Sequence, residues 1–424
     1  DQAADRPDPR LRRRQRELPA LSMTRRSLSR RGLIVGGGAA AALTAGAGLS
    51  AWSAQSQAAR PQGAPAVEPF HGEHQAGIST APQSHALFLA LDLLPGSSTD
   101  EQSTRENLRS VLRLWTTDAA RLTQGLPALA DTEPELATTT ARLTITTGLG
   151  PSVFAKAGLA NRCPASARDF PAFATDKLDK RWCGGDLLLQ ICADDMLVVA
   201  HAARVLLKNV RSLATERWRQ TGFRTPRAED SSGGTMRNLM GQVDGTVNPT
   251  VPELDTLLWH QGEDHQWLRG GTLLVLRRIT MDLDGWDQLD VKLRDLVMGR
   301  RAANGAPLTG EKESDEPDLE MTRGGIPVMP ATSHVALARH RNPREKFLRR
   351  PYNFDDAPLP GSSSNSGLIF AAYQRDIATQ FVPVQRRLAE RDEFNQWNTA
   401  VGSAVFVIPP GTTEDGYLGR TLLD

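Results

Sequence analysis

From Glu73 onward the chain passes twice through one order of strand and helix, and this repeat limits the fold more than any single motif does. In the first pass, Ala86 to Leu94 is a continuous apolar run closed by Pro95-Gly96, the pattern of a buried strand. The spacing of Leu, Val and Trp115 predicts a helix over Thr104 to Leu122. Ala141 to Thr147 alternates and is β-branched, and Gly185 to Ala193 is apolar behind a glycine pair, so both read as strands. Met196 to Val210 carries one apolar face, and Trp218 to Phe223 closes the pass as a strand. The second pass gives a strand at Gly271 to Ile279 and a helix within Met281 to Met298. A short strand at His334 to Leu337 follows, then a strand at Gly367 to Gln374, a helix at Ile377 to Arg391 and a strand at Ala404 to Pro409. Two β-α-β-β-α-β units predict an α+β protein of two ferredoxin-like halves, each an antiparallel sheet with helices on one face.

The halves divide at residues 73–235 and 236–424, with polar loops at 224–235 and 304–322 and an Ala/Pro/Gly-rich leader at 59–72. A chain of 424 residues can bury one large core or two smaller ones. Its 39% hydrophobic and 23% charged residues suit a soluble globular protein. A formal net charge of +1 gives no argument for a nucleic-acid partner. The three cysteines, Cys163, Cys183 and Cys192, show neither a disulfide framework nor zinc spacing.

Residues 1–58 read as an N-terminal extension and an export signal. Met23 looks like a natural start, and Ser29-Arg30-Arg31-Gly32-Leu33-Ile34 leads into an uncharged Gly/Ala-rich run to Trp52. The run is long enough to span a bilayer, but its apolar drive is weak. A twin arginine before such a run resembles a twin-arginine (Tat) signal. Ser56-Gln57-Ala58 offers a cleavage site, with the mature start near Ala59; a retained anchor is the competing reading. Export through the Tat translocase to an extracellular, cell-envelope or periplasmic location is the expectation.

Met240-Gly-Gln-Val-Asp-Gly-Thr-Val-Asn-Pro249 reads as a loop holding one carboxylate, Asp244, between glycines. Alone, an Asp-Gly pair is usually a turn. Here it is accompanied, in order along the chain, by Glu73-His-Gln-Ala-Gly-Ile78, Cys183-Gly-Gly-Asp-Leu-Leu188, Gly299-Arg-Arg301 with Gly305-Ala-Pro-Leu308, and Ser333-His-Val335. Asn342-Pro-Arg344, Leu348-Arg-Arg350 and Gly367-Leu-Ile-Phe370 with Tyr373-Gln374 complete the series. Together, from about residue 68 to 412, these stretches resemble the dye-decolourising peroxidases, whose motif is G-x-x-D-G. The family's fold is a duplicated ferredoxin-like one enclosing b-type haem.

The resemblance implies a haem-dependent peroxidase, similar to the Efe-type iron-uptake members. It would reduce hydrogen peroxide through an oxoferryl intermediate and oxidise dye-like, phenolic or metal substrates by one-electron steps. His334 falls at the axial-ligand position, where a neutral nitrogen binds iron. His340, six residues on, competes for that role, and a lone histidine is otherwise most often plain packing. Asp244 maps to the distal carboxylate that relays the peroxide proton, and Arg349 to the distal arginine that stabilises growing negative charge. Arg350 is adjacent and competes with Arg349. Gly245, Thr246 and Val247 would lie against the haem as backbone. Asn342, Pro343 and Arg344 would form the facing loop, with Arg344 and Arg300 reaching a propionate. Leu368 and Phe370 would form the apolar wall, which is equally a reading as core.

Two positions depart from the family pattern. Thr332 and Ala336 stand where members carry an acid two before the axial histidine and an arginine two after it. Residues are also added before Asn342 and lost after Arg344. These changes bear on the tuning of the iron and on substrate preference. Bulky donors excluded from a tight pocket would need surface aromatics as relays, the candidates being Tyr352, Tyr373, Tyr417, Trp259 and Trp397. Two alternative readings remain: a haem-handling protein serving iron uptake or metal homeostasis, and a fold that has lost haem. The sequence leaves the oligomeric state open, a homo-oligomer included.

Overall fold

The computed structural model describes residues 67–96, 100–226, 235–358 and 360–424. The expected extension, signal and most of the leader lie outside the described residues. The first half contains β1 (His85–Leu93), α1 (Glu101–Leu122), β2 (Thr144–Leu149), α2 (Pro151–Lys156), α3 (Ala165–Arg168), β3 (Leu187–Ala193), α4 (Met196–Val210) and β4 (Ala214–Phe223). The second contains α5 (Leu254–Leu257), β5 (Thr272–Met281), α6 (Leu283–Asp287), α7 (Val291–Met298), a hairpin of β6 (Thr322–Arg323) and β7 (Ile326–Pro327), and α8 (His334–Ala338). It continues through β8 (Leu348–Arg349), β9 (Tyr352–Asp356), β10 (Asn365–Gln374), α9 (Phe381–Arg391), β11 (Asn398–Ile408) and α10 (Arg420–Leu423).

Both halves have the predicted ferredoxin-like topology. The strand orders are β2-β3-β1-β4 and β9-β10-β5-β11, all antiparallel. The two sheets also meet at both edges, through Phe223↔Asn353 and Val407↔Leu149, so the pairing closes into a ring. Closure leaves few open edges.

The ring explains why its inner strands β1 and β3 are apolar on both faces. In β1, Leu87, Leu89 and Leu91 pack with Leu108, Trp115 and Val199 of the covering helices. The alternate residues Ala86, Phe88 and Ala90 point inward with Tyr352, Phe354, Tyr373 and Phe406 of the opposite sheet. On the second sheet, the outer face of β5 and β10 is only partly covered by helix, and there a cavity opens.

One expectation fails locally and another is refined. His334 to Leu337 is not a strand but the start of α8, with Ser333 as its N-cap. Four residues show neither period, so the local pattern could not decide. The second strand of this half is β9, some twenty residues later. The helix expected within Met281 to Met298 is two, each begun by an aspartate: the Asp282 side chain accepts from Gly285 N and that of Asp290 from Leu293 N.

Candidate active site

Four pieces of the second half surround the cavity. The first is the loop carrying Asp244. Gly245 has φ +125°, which a side chain would strain, and this turns the chain immediately after the carboxylate. Asp244 N donates to Met236 O at 2.8 Å. Thr246 Oγ1 donates to Glu313 Oε1 at 2.9 Å, and Thr235 donates to the same oxygen, so the polar loop at 304–322 braces the motif.

The second piece is β8. Arg349 and Arg350 are neighbours on an extended chain, so they face opposite ways. Arg350 is buried away from the cavity, donating to Thr80 O and to Gln83 Oε1. Arg349 lines the cavity, and its Nη1 pairs with Asp244 Oδ1 at 2.9 Å. Asn248 joins these two pieces. Its Nδ2 donates to Arg349 O and its Oδ1 accepts from Arg349 N, both at 2.9 Å.

The third piece is α8. Gly299, in the left-handed region at φ +82°, ends α7 so close to α8 that a Cβ there would lie 2.9 Å from Ser333 Oγ. His334 Nδ1 lies 2.6 Å from Asp392 Oδ2, a contact that assigns the proton to Nδ1 as donor. Nε2 has no hydrogen-bond partner among the described residues. Burial works against the imidazolium most, but the charge and hydrogen bond of Asp392 outweigh it, and the pKa lies above the ordinary histidine value. Charges on Asp244 and Arg349 also reach this ring. Thr332 Oγ1 donates to Glu393 Oε1 at 2.9 Å, so acids from the end of α9 stand where the local sequence lacks one. His340 also lines the cavity, but no carboxylate among the described residues hydrogen-bonds its ring, and burial lowers its pKa.

The fourth piece is the sheet floor, where Leu368 and Phe370 of β10 and Ile279 and Met281 of β5 face the cavity. Asp244, Thr246, Val247, Arg300, His334, Arg349, Leu368 and Phe370 therefore line one space. Gly245 shapes its loop without lining it.

The loop Asn342-Pro343-Arg344 is not among the residues that line the cavity. All three residues are exposed, and Asn342 Oδ1 caps Arg344 N at 2.9 Å in a short turn. The residues added after α8 carry this turn outward. The cations on that side of the cavity are instead Arg339, paired with Glu316 at 3.3 Å, and Lys346, paired with Glu253 at 2.8 Å. Arg300 is buried, and its Nη1 donates to Gly305 O at 2.6 Å and Glu313 O at 2.7 Å, so it also ties the following turn. Burial draws its pKa below the usual arginine value. Asp392, Asn248, Glu313 and Arg339 were not foreseen, and none has a signal near its partner in sequence.

The chain matches the model described as Dyp-type peroxidase, N-terminal, over residues 75–224, and that described as Dyp-type peroxidase, C-terminal, over residues 235–413. The chain belongs to the Dyp-type peroxidase family. It is 36% identical to a Dye-decolorizing peroxidase of Thermobifida fusca (strain YX), over 94% of this chain and 98% of that one. A Deferrochelatase of Escherichia coli (strain K12) is 32% identical over 84% of this chain and 87% of its own length. The crystal structure of a DyP-type peroxidase from Cellulomonas bogoriensis superposes with a TM-score of 0.81 at 49% identity, covering 85% of this chain and 98% of that one. Ferric DtpA from Streptomyces lividans gives 0.79 at 36%, covering 85% and 97%. This Dyp-type chain is a haem peroxidase, and the site fits the cofactor. An imidazole oriented by a carboxylate, an apolar floor and cations at the rim are the donor set haem requires.

Proposed function

We propose that His334 would hold the haem iron through Nε2, that Asp244 moves the protons of hydrogen peroxide, and that Arg349 holds the charge of the peroxide anion. The observation that carries this reading is the convergence of three groups on one cavity: His334 held by Asp392, and Asp244 paired with Arg349. Bound there, haem supplies an iron centre that passes two electrons to peroxide and takes them back from a donor.

The chain's own residues do the rest. An Asp244 carboxylate oxygen accepts the proton from one peroxide oxygen and returns it to the other, which leaves as water. The Arg349 guanidinium stays charged, so exchanging its bond to Asp244 for one to the peroxide anion favours deprotonation and the charge that grows as the O–O bond breaks. Asp392 keeps the proton of His334 on Nδ1 and presents Nε2 for ligation. Leu368 and Phe370 limit water in the pocket. Arg339 and Lys346, with Arg300 behind, are the cations suited to the propionates. Dye-like, phenolic or metal donors then supply two electrons, one at a time.

Rapid mixing of haem-loaded protein with peroxide tests these roles. Asp244→Ala and Arg349→Ala are each expected to slow the reaction by about 10²–10⁴-fold. Wild-type rates in both would refute the assignment.

A second reading draws on the relatives named Deferrochelatase: an exported haem-handling protein serving iron uptake or metal homeostasis. Iron captured by a chelator, measured against peroxide turnover, separates the two. For localisation, the Arg30-Arg31 signal supports passage through the Tat translocase. Replacing both arginines by lysine should keep the protein inside the cell, and undiminished export would refute it.

A further inference from the structure

Four of the chain's eight methionines, Met236, Met240, Met281 and Met298, pack in one small cluster around Trp286 and Phe394. Met281 and Met298 also line the cavity, whereas Met236 and Met240 do not. An unbroken line of aromatic contacts runs through this cluster from the axial side of the site. His334 meets Phe394 edge-on with ring centroids 5.4 Å apart. Phe394 meets Trp286 at 5.5 Å, and Trp286 meets the partly exposed Trp397 at 5.4 Å. Trp286 Nε1 donates to Met240 O at 3.3 Å. The carbonyl accepts this hydrogen bond but is too weak a base to remove the proton, so an oxidised Trp286 keeps it and passes the electron deficiency on. A thioether bears on an aromatic ring favourably and is easily oxidised. Ordinary packing asks only for apolar volume here, and leucine would supply it.

We infer that this cluster is an oxidation sink: in the absence of a donor, oxidising equivalents leave the haem site through Phe394 and Trp286 and end on the methionines and Trp397. The balance closes with peroxide as the oxidant. Each hydrogen peroxide takes up two electrons and two protons and becomes two waters. A methionine thioether gains one oxygen from water and releases two electrons and two protons. Alternatively, Trp286 and Trp397 each give one electron; the indole proton of Trp397 balances one of the two protons taken up, and solvent supplies the other. The inference rests on the peroxidase reading.

The test is peptide mapping by mass spectrometry after haem-loaded protein turns over hydrogen peroxide with no donor. Met196 and Met321 are internal controls, being 37% and 38% exposed, against 5–7% for the four clustered methionines. Peroxide acting from solution oxidises the exposed pair first. A sink oxidises the buried four, with Trp286 and Trp397, several-fold ahead of them, and haem-free protein reverses that order. Trp286→Phe should lower oxidation at Met236, Met240 and Trp397 several-fold and hasten haem bleaching. Trp397→Phe, the milder change, should raise sulfoxide in the cluster. Oxidation confined to Met196 and Met321, or a pattern unchanged in both variants, would overturn the sink. Failure to consume peroxide at all would instead overturn the peroxidase reading beneath it.

Discussion

Asp392 lies 58 residues after His334, yet its carboxylate decides which nitrogen of that imidazole faces the cavity. A carboxylate behind an axial histidine fixes the tautomer and raises the ligand's basicity. Asp392→Ala should therefore weaken haem retention by about 10–100-fold, read as the rate of haem transfer to an excess of an apo-acceptor protein. Unchanged retention would mean that the contact is incidental. That His334, Asp244 and Arg349 come together at one cavity was legible in the sequence because each sits in a short recognisable string. Asp392 was not, because its meaning lies in a partner that only the fold brings near. Arg344 shows the converse: its string is intact, yet the residue is exposed and lies outside the lining of the cavity.

At the scale of elements, the Asp244 loop and β8 act as one unit because Asn248 brackets the backbone of Arg349. Asn248→Ala removes two hydrogen bonds of about 0.5–1.5 kcal/mol each and frees the two pieces from one another. Peroxide reactivity should fall although Asp244 and Arg349 are intact, with a modest loss of thermal stability; a variant with wild-type kinetics would show that the pieces hold their places independently. A second tie joins Glu253 to Lys346 at the cavity rim. The Lys346 ammonium, with the backbone N–H and hydroxyl of Thr250, pulls the Glu253 pKa down to about 2. A carboxyl depressed by folding stabilises the protein above its unfolded pKa, about 4.3, and that contribution is lost as pH falls toward the folded value. Glu253→Gln should thus reduce stability at neutral pH and leave it little changed near pH 2, as followed by unfolding at the two pH values. The elements themselves were mostly legible from period and composition. α4 begins and ends where its apolar face does. α8 and β9 were not, since a one-turn helix has no period to read, and Tyr352-Asn-Phe-Asp-Asp356 is a strand whose buried asparagine hides the alternation.

The described residues are held by a ring of two sheets, a closure that strand patterns alone do not reveal. The duplication was visible, but the pairs Phe223↔Asn353 and Val407↔Leu149 that seal the halves carry no local mark. The last residues add a further link. Tyr417, Leu418, Leu422 and Leu423 are buried in the core, and this segment packs against α1 of the first half. Deleting residues 417–424 removes four buried side chains worth about 1.5–3 kcal/mol each. It should lower the midpoint of thermal unfolding for both halves together, and a midpoint near the wild-type value would contradict the packing. The central claim concerns the site that this frame supports: a haem peroxidase ligated through His334. The most direct test follows the Soret band of wild-type, His334→Ala and His340→Ala proteins, each reconstituted with haem and mixed rapidly with equimolar hydrogen peroxide. The account predicts a band that shifts on mixing and recovers when a phenolic donor is added, in the wild type and in His340→Ala, and a loss of that response in His334→Ala. An unaltered response in His334→Ala, or a wild-type protein that takes up no haem, would contradict it.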